Sequence, residues 1–279
     1  MKITYLGTAA AEGFPAMFCN CPSCEQARKN LEREMRTRSQ VLIDNKLLID
    51  FPADTYFHAQ KYGIDFSAVK YLLVTHSHTD HFYGAELVNR GYKFAHGMCS
   101  ERLEIFGNSE VFKVFIEETS REIRQEVSEK ITFRTIVPFS FIKVGEYEIF
   151  ALPAVHTEKE NALVYCISSN GKTLLYLNDT AILGEEALQF LFQKGIKADM
   201  VSMDCTLGVS KAGISKRHMG FADNEILREK LVKYGLCDAN TKYYVTHFSH
   251  NSAPFRDNME SEAKKRGMIA AHDGLVVEI

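Results

Sequence analysis

The stretch that most constrains this chain is Thr75 to His81, which reads THSHTDH. It follows the apolar run YLLV, which is typical of a buried strand, so the motif lies where a strand ends and a loop begins. Alternation along an extended chain directs His76 and His78 to the same side, and the following turn lets Asp80 and His81 approach from another side. One loop can therefore offer two ligands to each of two metal ions. Imidazole nitrogen and carboxylate oxygen are the ligand types expected for zinc, iron or manganese.

The composition limits the possible partners. The chain has 279 residues, of which 46% are apolar or aromatic, so it can bury a large core. The formal net charge of -3 argues against extended nucleic acid or an anionic membrane surface, but not against a single phosphate. No apolar stretch approaches the roughly 20 residues that span a bilayer. The first residues, MKITYLG, are strand-like and do not match a signal peptide, so the expected location is the cytoplasm.

Apolar runs and turn signals alternate along the chain without a linker or a repeat. Gln40 to Asp50 predicts a hairpin around Asn45, and Met268 to Ile279 predicts another that turns at Asp273-Gly274. Ser109 to Lys130 is helical in character. Leu207 to Arg217 is a loop rich in Gly, Ser and Lys, of the kind that stays mobile. We expect one domain over residues 1–279, of the α+β class, with two β-sheets packed face to face and helices outside.

Three further polar residues occupy the same structural position as the motif. His156, Asp179 and His247 each come just after an apolar run. Strand ends at one edge of a sheet sandwich can converge on one cleft. A lone histidine or aspartate at a strand end is more often an ordinary loop residue, but beside THSHTDH these three predict further ligands of the same metal centre.

The HxHxDH signature, followed by a His, an Asp and a His in this order and spacing, resembles the metallo-β-lactamase superfamily across essentially the whole chain. The resemblance implies an αββα four-layer sandwich with two mixed β-sheets and the metals in the cleft between them. It implies a first metal on His76, His78 and His156, a second on Asp80, His81 and His247, and Asp179 as the bridge. The lactamases proper have a cysteine instead of the bridging aspartate, and diiron flavoproteins have a glutamate within the first motif; neither occurs here.

Such a centre makes hydrolysis the expected chemistry. Two cations about 3.5–4 Å apart give a metal-bridging hydroxide near neutral pH and neutralise phosphoryl oxygens. Asp80 could orient that hydroxide while acting as a ligand. A leaving alkoxide needs a proton from a further group, and His218 is the best candidate among the unassigned histidines because it follows the mobile loop. The alternative is that His218 is an ordinary exposed histidine.

A second cluster has the pattern CxCxxC at Cys19, Cys21 and Cys24. Three soft ligands need a fourth to complete a structural zinc site, and His250, three residues after His247, is the natural one. The site would tie the N-terminal loop to the C-terminal part of the chain and brace His247 from behind. Three free thiols in a loop are the alternative.

GTAAAEGFP, CxCxxC, HSHTDH and HxxH together resemble the PhnP branch, whose members hydrolyse cyclic phosphodiesters including ribose cyclic phosphates and 2′,3′-cyclic nucleotides. The resemblance implies one structural zinc on Cys19, Cys21, Cys24 and His250, and the catalytic acid on His218. We therefore expect a metal-dependent phosphodiesterase with two divalent ions (zinc or manganese, with iron as a further option). Its expected substrate is a small cyclic or nucleotide-like phosphodiester. The resemblance also allows a homodimer.

Three other functions remain open from the sequence. A tRNA 3′-processing endonuclease shares the seven ligands but would need a basic arm that grips tRNA. A thioester or lactone hydrolase could use the same centre. A non-catalytic binding protein similar to PqqB, which the GFP segment and the cysteines also resemble, would lack the intact ligand set present here.

Overall fold

Two seven-stranded mixed β-sheets form the centre of the molecule, which a computed structural model describes over residues 1–279. The strands are β1 Lys2–Gly7, β2 Gln40–Ile43, β3 Leu47–Ile49, β4 Tyr71–Leu73, β5 Leu103–Gly107, β6 Ile131–Thr135, β7 Phe141–Val144, β8 Tyr147–Pro153, β9 Leu163–Ser169, β10 Lys172–Leu177, β11 Met200–Asp204, β12 Lys242–Thr246, β13 Ile269–Ala270 and β14 Leu275–Glu278. The α-helices are α1 Pro22–Arg28, α2 Leu31–Glu34, α3 Thr55–Tyr62, α4 Ser109–Thr119, α5 Gln125–Ser128, α6 Glu185–Gln193, α7 Phe221–Lys233 and α8 Arg256–Lys265. Short 3-10 helices cover Phe66–Ala68, Gly84–Asn89 and His250–Ser252.

The first sheet has the order β14-β1-β2-β3-β4-β5-β6 and the second β13-β12-β11-β10-β9-β8-β7. In each sheet an antiparallel part is followed by parallel strands: β3 to β6 in the first and β10 to β13 in the second. The carboxyl ends of parallel strands meet at one edge of a sheet. β4, β10 and β12 therefore deliver the residues that follow them to the rim of the sandwich.

Three apolar clusters explain the layering. One cluster of 23 buried residues lies between the sheets and combines Ile3, Val41 and Ile49 of the first sheet with Ile149 and Tyr165 of the second. A cluster of 25 joins the outer face of the second sheet to α6, α7 and α8, and a cluster of 12 joins the outer face of the first sheet to α4. The expected αββα sandwich is confirmed.

The end of the chain differs from the expectation. Met268 to Ile279 is not a hairpin: β13 pairs with β12 in the second sheet, whereas β14 pairs with β1 in the first. Asp273 and Gly274 lie in the crossing between the sheets. Two short apolar strands around an Asp-Gly pair look the same in sequence whether they pair with each other or with different neighbours. The Gln40 to Asp50 hairpin is confirmed as β2 and β3.

Two smaller differences concern the middle of the chain. Ser109 to Lys130 divides into α4 and α5 instead of forming one helix, and β7 at the edge of the second sheet was not expected. No helix has both the length and the apolar character needed to cross a membrane.

Candidate metal centre

The seven residues expected to bind two metals come together at the rim of the sandwich. Their donor atoms form two groups, each with all atoms within 4.8 Å of one another, and Asp179 belongs to both. The first group is His76, His78, His156 and Asp179, and the second is Asp80, His81, Asp179 and His247. This is the division that the resemblance implied, with the aspartate shared.

The spacing of the donor atoms suits metal ions. Asp179 Oδ2 lies 3.3 Å from His76 Nε2 and 3.3 Å from His81 Nε2. Donors around tetrahedral zinc with bonds of about 2.0–2.1 Å lie about 3.3 Å apart. His81 Nε2, Asp179 Oδ1 and His247 Nε2 are buried without a hydrogen-bond partner. Because buried polar atoms are normally paired, these orphaned ligand atoms fit a centre that holds cations.

The tautomers of two histidines also fit a metal centre. His81 Nδ1 donates a hydrogen bond to Asp50 Oδ2 at 2.7 Å, so its Nε2 lone pair faces the centre. His247 Nδ1 lies 2.8 Å from Thr206 Oγ1, whose own proton is given to Asp204 Oδ2 at 2.8 Å. The imidazole must therefore be the donor to Thr206, which again leaves Nε2 as a free ligand atom. Such outer partners fix ring orientation in metal sites.

The buried ligand residues shift one another's pKa values. Burial opposes ionisation of Asp80, but His81 and His247 outweigh it and lower the pKa of this carboxyl below its usual range. Burial likewise opposes a charge on His81, yet Asp80 and Asp50 raise the pKa of this imidazole well above normal. Burial lowers the pKa of His156 to about 4, so this ring is neutral, the state that binds metal.

The backbone at the centre is held in an uncommon conformation. Asp50, Asp179 and His247 have φ angles of 50–64°, in the left-handed region that residues other than glycine seldom adopt. Hydrogen bonds hold this backbone on both sides: Phe51 N donates to His81 O, and Phe248 N donates to Thr8 O. Strain of this kind persists only where the surroundings determine it, and it concentrates at functional sites.

His218 lies beside the seven candidate metal ligands. Its Nδ1 is 3.0 Å from Asp179 Oδ1 and 3.5 Å from Asp204 Oδ2. Burial disfavours the charged ring, but the two carboxylates outweigh burial and raise the pKa of His218 to about 10. The side chain remains 25% exposed, so a protonated imidazole faces the cleft.

The loop from residues 207 to 220 presents His218. Leu207 N donates to Met219 O, and Phe221 N donates to Gly208 O, which closes the ends of the loop. The buried carboxylate of Asp223 accepts Gly213 N at 2.7 Å and Gly220 N at 3.0 Å. The segment expected to be mobile is therefore anchored at its base and along its length.

The cysteine cluster also comes together as expected. The sulfur atoms of Cys19, Cys21 and Cys24 and a ring nitrogen of His250 lie within 4.8 Å of one another, and all three cysteines are free thiols. A backbone hydrogen bond from Cys24, with help from Cys19 and His250, lowers the pKa of Cys21 to about 6. Thiolate and imidazole ligands in this number fit a closed zinc site.

Glu12 joins this cluster to the cleft. Its Oε1 accepts hydrogen bonds from Ser249 Oγ at 2.6 Å and from His250 N at 3.0 Å. Glu12 also lines the cleft above the metal centre. The cysteine site is thus connected to His247 through the two residues that follow Phe248.

A polar cleft of about 560 Å³ opens onto the centre. Only two of its 15 lining residues are hydrophobic. The exposed cations Lys159 and Arg217 line it, as do the carboxylates of Glu12 and Glu158. The opening can admit a small polar substrate.

Three functional residues were missed in the sequence. Asp50 and Asp204 contact the ligand histidines, and Thr206 sets the tautomer of one of them. Asp50 and Asp204 each close an apolar run, LLID and VSMD, which is the same signal that identified Asp179. An acidic residue at the end of an apolar run therefore identifies both carboxylates when the criterion is applied to every run. Nothing in the sequence distinguishes Thr206.

Two facing mixed sheets with this donor set at their rim define the class: a protein with the metallo-β-lactamase fold. Residues 37–269 match the family model of the Anti-Pycsar protein Apyc1, and the chain belongs to that family.

Solved structures support the fold, and no curated protein sequence matches the chain. A diphosphatase of the PhnP family aligns with a TM-score of 0.71 at 21% identity, covering 100% of this chain and 97% of its own. PqqB of Methylobacterium extorquens aligns with a TM-score of 0.70 at 18% identity, covering 100% of both chains. The human short form of tRNase Z aligns with a TM-score of 0.68 at 16% identity, covering 100% of this chain and 99% of its own. The expected metallo-β-lactamase fold is confirmed, and a protein of the PhnP family is among those with a similar structure.

Proposed function

We propose that this protein is a metal-dependent phosphodiesterase that hydrolyses a small cyclic or nucleotide-like phosphodiester. The observation that carries the proposal is the convergence of seven candidate ligands beneath a polar cleft, four of which have a buried polar atom without a hydrogen-bond partner. Membership of a family described as anti-Pycsar proteins is consistent with degradation of a cyclic nucleotide.

The ions would be held by His76, His78 and His156 on one side and by Asp80, His81 and His247 on the other, with Asp179 between them. Divalent cations bound there would supply Lewis acidity toward phosphoryl oxygens and would lower the pKa of water. Nitrogen and oxygen donors of this kind accept zinc, manganese or iron. A structural zinc would occupy Cys19, Cys21, Cys24 and His250.

The chain supplies its own groups for binding the substrate. Lys159 and Arg217 line the cleft and would attract the negative charge of a phosphodiester. Both side chains are exposed, so they can adjust to a ligand although the loop that carries Arg217 is anchored. A cleft of about 560 Å³ suits a mononucleotide-sized substrate.

His218 is the proposed general acid. The carboxylates of Asp179 and Asp204 keep it protonated at neutral pH, and its partial exposure lets it reach a leaving oxygen in the cleft. Asp204 is the orienting partner, since its Oδ1 accepts Met219 N at 2.8 Å and its Oδ2 faces the imidazole. Asp80 stays ionised and can accept a proton from an attacking water.

The test is a substrate panel on the metal-loaded protein. We expect turnover of 2′,3′-cyclic and 3′,5′-cyclic nucleotides and of bis(p-nitrophenyl) phosphate, compared with a lactone, a thioester and precursor tRNA. Asp80→Ala should abolish turnover, and His218→Ala should lower it by about 10²–10⁴-fold, the usual contribution of a general acid. His96→Ala, at an exposed histidine outside the cleft, is the matched control. Efficient hydrolysis of the lactone or thioester without phosphodiester turnover would overturn the proposal.

A further inference from the structure

A buried polar network lies behind the metal centre without touching it. Its middle member is His58 of α3, which is completely buried. His58 Nδ1 lies 2.7 Å from Gln40 Oε1, and its Nε2 lies 2.7 Å from Thr37 Oγ1. Thr37 Oγ1 lies in turn 2.7 Å from Asp273 Oδ2, in the turn where the chain crosses between the sheets.

Gln40 determines which nitrogen of His58 carries a proton. Gln40 Nε2 donates to Asp50 O at 3.0 Å and to Thr55 Oγ1 at 2.9 Å, and the Thr55 hydroxyl gives its own proton to Pro52 O. A flipped amide would bring two carbonyl oxygens together. Gln40 Oε1 therefore faces His58, so Nδ1 of His58 must be the donor.

Thr37 then has one hydroxyl proton for two close partners. If it donates to His58 Nε2, its contact with Asp273 is a hydrogen bond only when Asp273 is protonated. If it donates to the Asp273 carboxylate, His58 Nε2 must carry a proton as well, and the ring is an imidazolium. In both arrangements these three residues hold one proton more than a neutral histidine beside an ionised aspartate.

Burial makes the first arrangement the favoured one. It lowers the pKa of His58 to about 4, with only Asp54 opposing the shift. It raises the pKa of Asp273, although hydrogen bonds from Thr8 and from the hydroxyl and backbone N–H of Thr37, together with the guanidinium of Arg36, oppose the shift. Both directions favour the uncharged forms, because burial penalises a charge on the ring and on the carboxyl.

One end of the network reaches His81. Gln40 holds the carbonyl of Asp50, a residue with a φ of 64°. The carboxylate of Asp50 holds His81 Nδ1 at 2.7 Å and Thr75 N at 2.8 Å. A shift of Gln40 would therefore displace Asp50, whose carboxylate orients the imidazole of His81 toward the centre.

The other end reaches His247. Asp273 Oδ1 accepts from Thr8 Oγ1 at 2.6 Å, and Thr8 Oγ1 accepts from the buried guanidinium of Arg36 at 2.8 Å. Arg36 Cζ lies 4.5 Å above the ring of Phe248, and Phe248 N donates to Thr8 O. These contacts hold the residue that follows His247 and so support its left-handed backbone.

We propose that His58, Thr37 and Asp273 share one buried proton, and that the network this proton completes positions His81 and His247 for the ion they hold in common. The inference rests on the proposed metal ligands and not on the substrate or the reaction.

Metal retention tests the positioning role. Thr37→Val keeps the shape of the side chain but removes the hydroxyl, whereas Thr37→Ser keeps the hydroxyl. We expect Thr37→Val to release one active-site ion at about tenfold lower chelator concentration, the lower end of the range for outer partners of metal ligands, and Thr37→Ser to behave as wild type. Thr119→Val is the matched control, because Thr119 is a buried threonine whose hydroxyl bonds only its own helix. The ion at the cysteines, identified by thiolate absorption after cobalt substitution, should be retained throughout.

Gln40→Leu is a second variant, nearer the centre, in which a larger loss of the same ion is expected. Circular dichroism checks that each variant is folded. Nitrogen-15 NMR at neutral pH, with the His58 signal identified by its absence in His58→Phe, should show Nδ1 protonated. Wild-type metal retention in both Thr37→Val and Gln40→Leu would overturn the positioning role. An ionised Asp273 carboxyl, measured by carbon-13 NMR, beside a His58 ring that carries a single proton would overturn the shared proton. Because no substrate is involved, either result is independent of the phosphodiesterase assay.

Discussion

At the scale of single residues, the outward-facing nitrogens matter as much as the metal-facing ones. His81 and His247 each give an Nδ1 proton to a partner outside the HxHxDH motif, Asp50 in one case and Thr206 in the other. That donation leaves an unprotonated Nε2 directed at the centre. Asp204 connects this arrangement to the proposed acid, since its Oδ2 lies 3.3 Å from His247 Nδ1 and 3.5 Å from His218 Nδ1.

The pH dependence of hydrolysis should report on Asp204. Its carboxylate helps to raise the pKa of His218, so Asp204→Asn lowers that pKa. A general acid acts only while protonated, so the alkaline limb of the kcat/KM profile should move to lower pH, by about 1–3 units. The measurement is kcat/KM against pH for both proteins at saturating metal. An alkaline limb at the same pH in the variant would show that Asp204 does not act on the acid.

The convergence of the candidate ligands could be predicted from the sequence because their residue types and positions are visible there. Histidines and aspartates at the ends of apolar runs identify themselves by type and position, as His156, Asp179 and His247 did. The hydroxyl of Thr206 could not be predicted, because a threonine after a strand is common and its role depends on a contact 41 residues away.

At the scale of elements, strand ends provide the candidate metal ligands and one anchored loop carries His218, the proposed acid. Asp223, near the start of α7, holds two points of the segment that carries His218. Its carboxylate therefore acts on the site without touching it.

Loosening that loop should reduce turnover while leaving the metals in place. Asp223→Ala removes two hydrogen bonds to a buried carboxylate, and we expect kcat to fall by about tenfold, short of the 10²–10⁴-fold contribution of the acid itself. Amide hydrogen exchange over residues 208–220 should become faster. Asp238→Ala, which removes a carboxylate that accepts one backbone N–H in a distant exposed loop, is the control. Faster exchange with unchanged kcat would separate the loop from catalysis.

The strands were easier to predict than their partners. Local alternation identified β2 and β3 as a hairpin because only three residues, Asp44 to Lys46, separate the two apolar runs. The same reasoning failed for β13 and β14, which join different sheets. The partner of an edge strand is determined by packing between distant parts of the chain, here against β1 and β12. The local sequence pattern carries no information about that partner.

At the scale of the whole molecule, the two ends of the chain are joined beside the active site. His250 Nδ1 lies 3.5 Å from Cys24 Sγ, across 226 residues of sequence. Arg36 adds hydrogen bonds to Pro254 O and Ala271 O, and β1 pairs with β14. The N-terminal loop and the C-terminal segment thus support His247 from opposite sides.

Removing the cysteine site should therefore weaken both stability and the active site. Cys24 is completely buried, and Cys24→Ser deletes one ligand of the proposed zinc while nearly preserving volume. Losing a cross-link that closes so long a loop should cost about 2–5 kcal/mol of unfolding free energy, measured by chemical denaturation. The variant should also lose affinity for the active-site ion near His247, because the loop after His247 loses its anchor at the cysteines and keeps only its hydrogen bonds to Glu12. Cys99→Ser, at an exposed cysteine outside the cluster, should change neither quantity. If Cys24→Ser retained full stability and full metal content, the cysteines would be free thiols without a structural role.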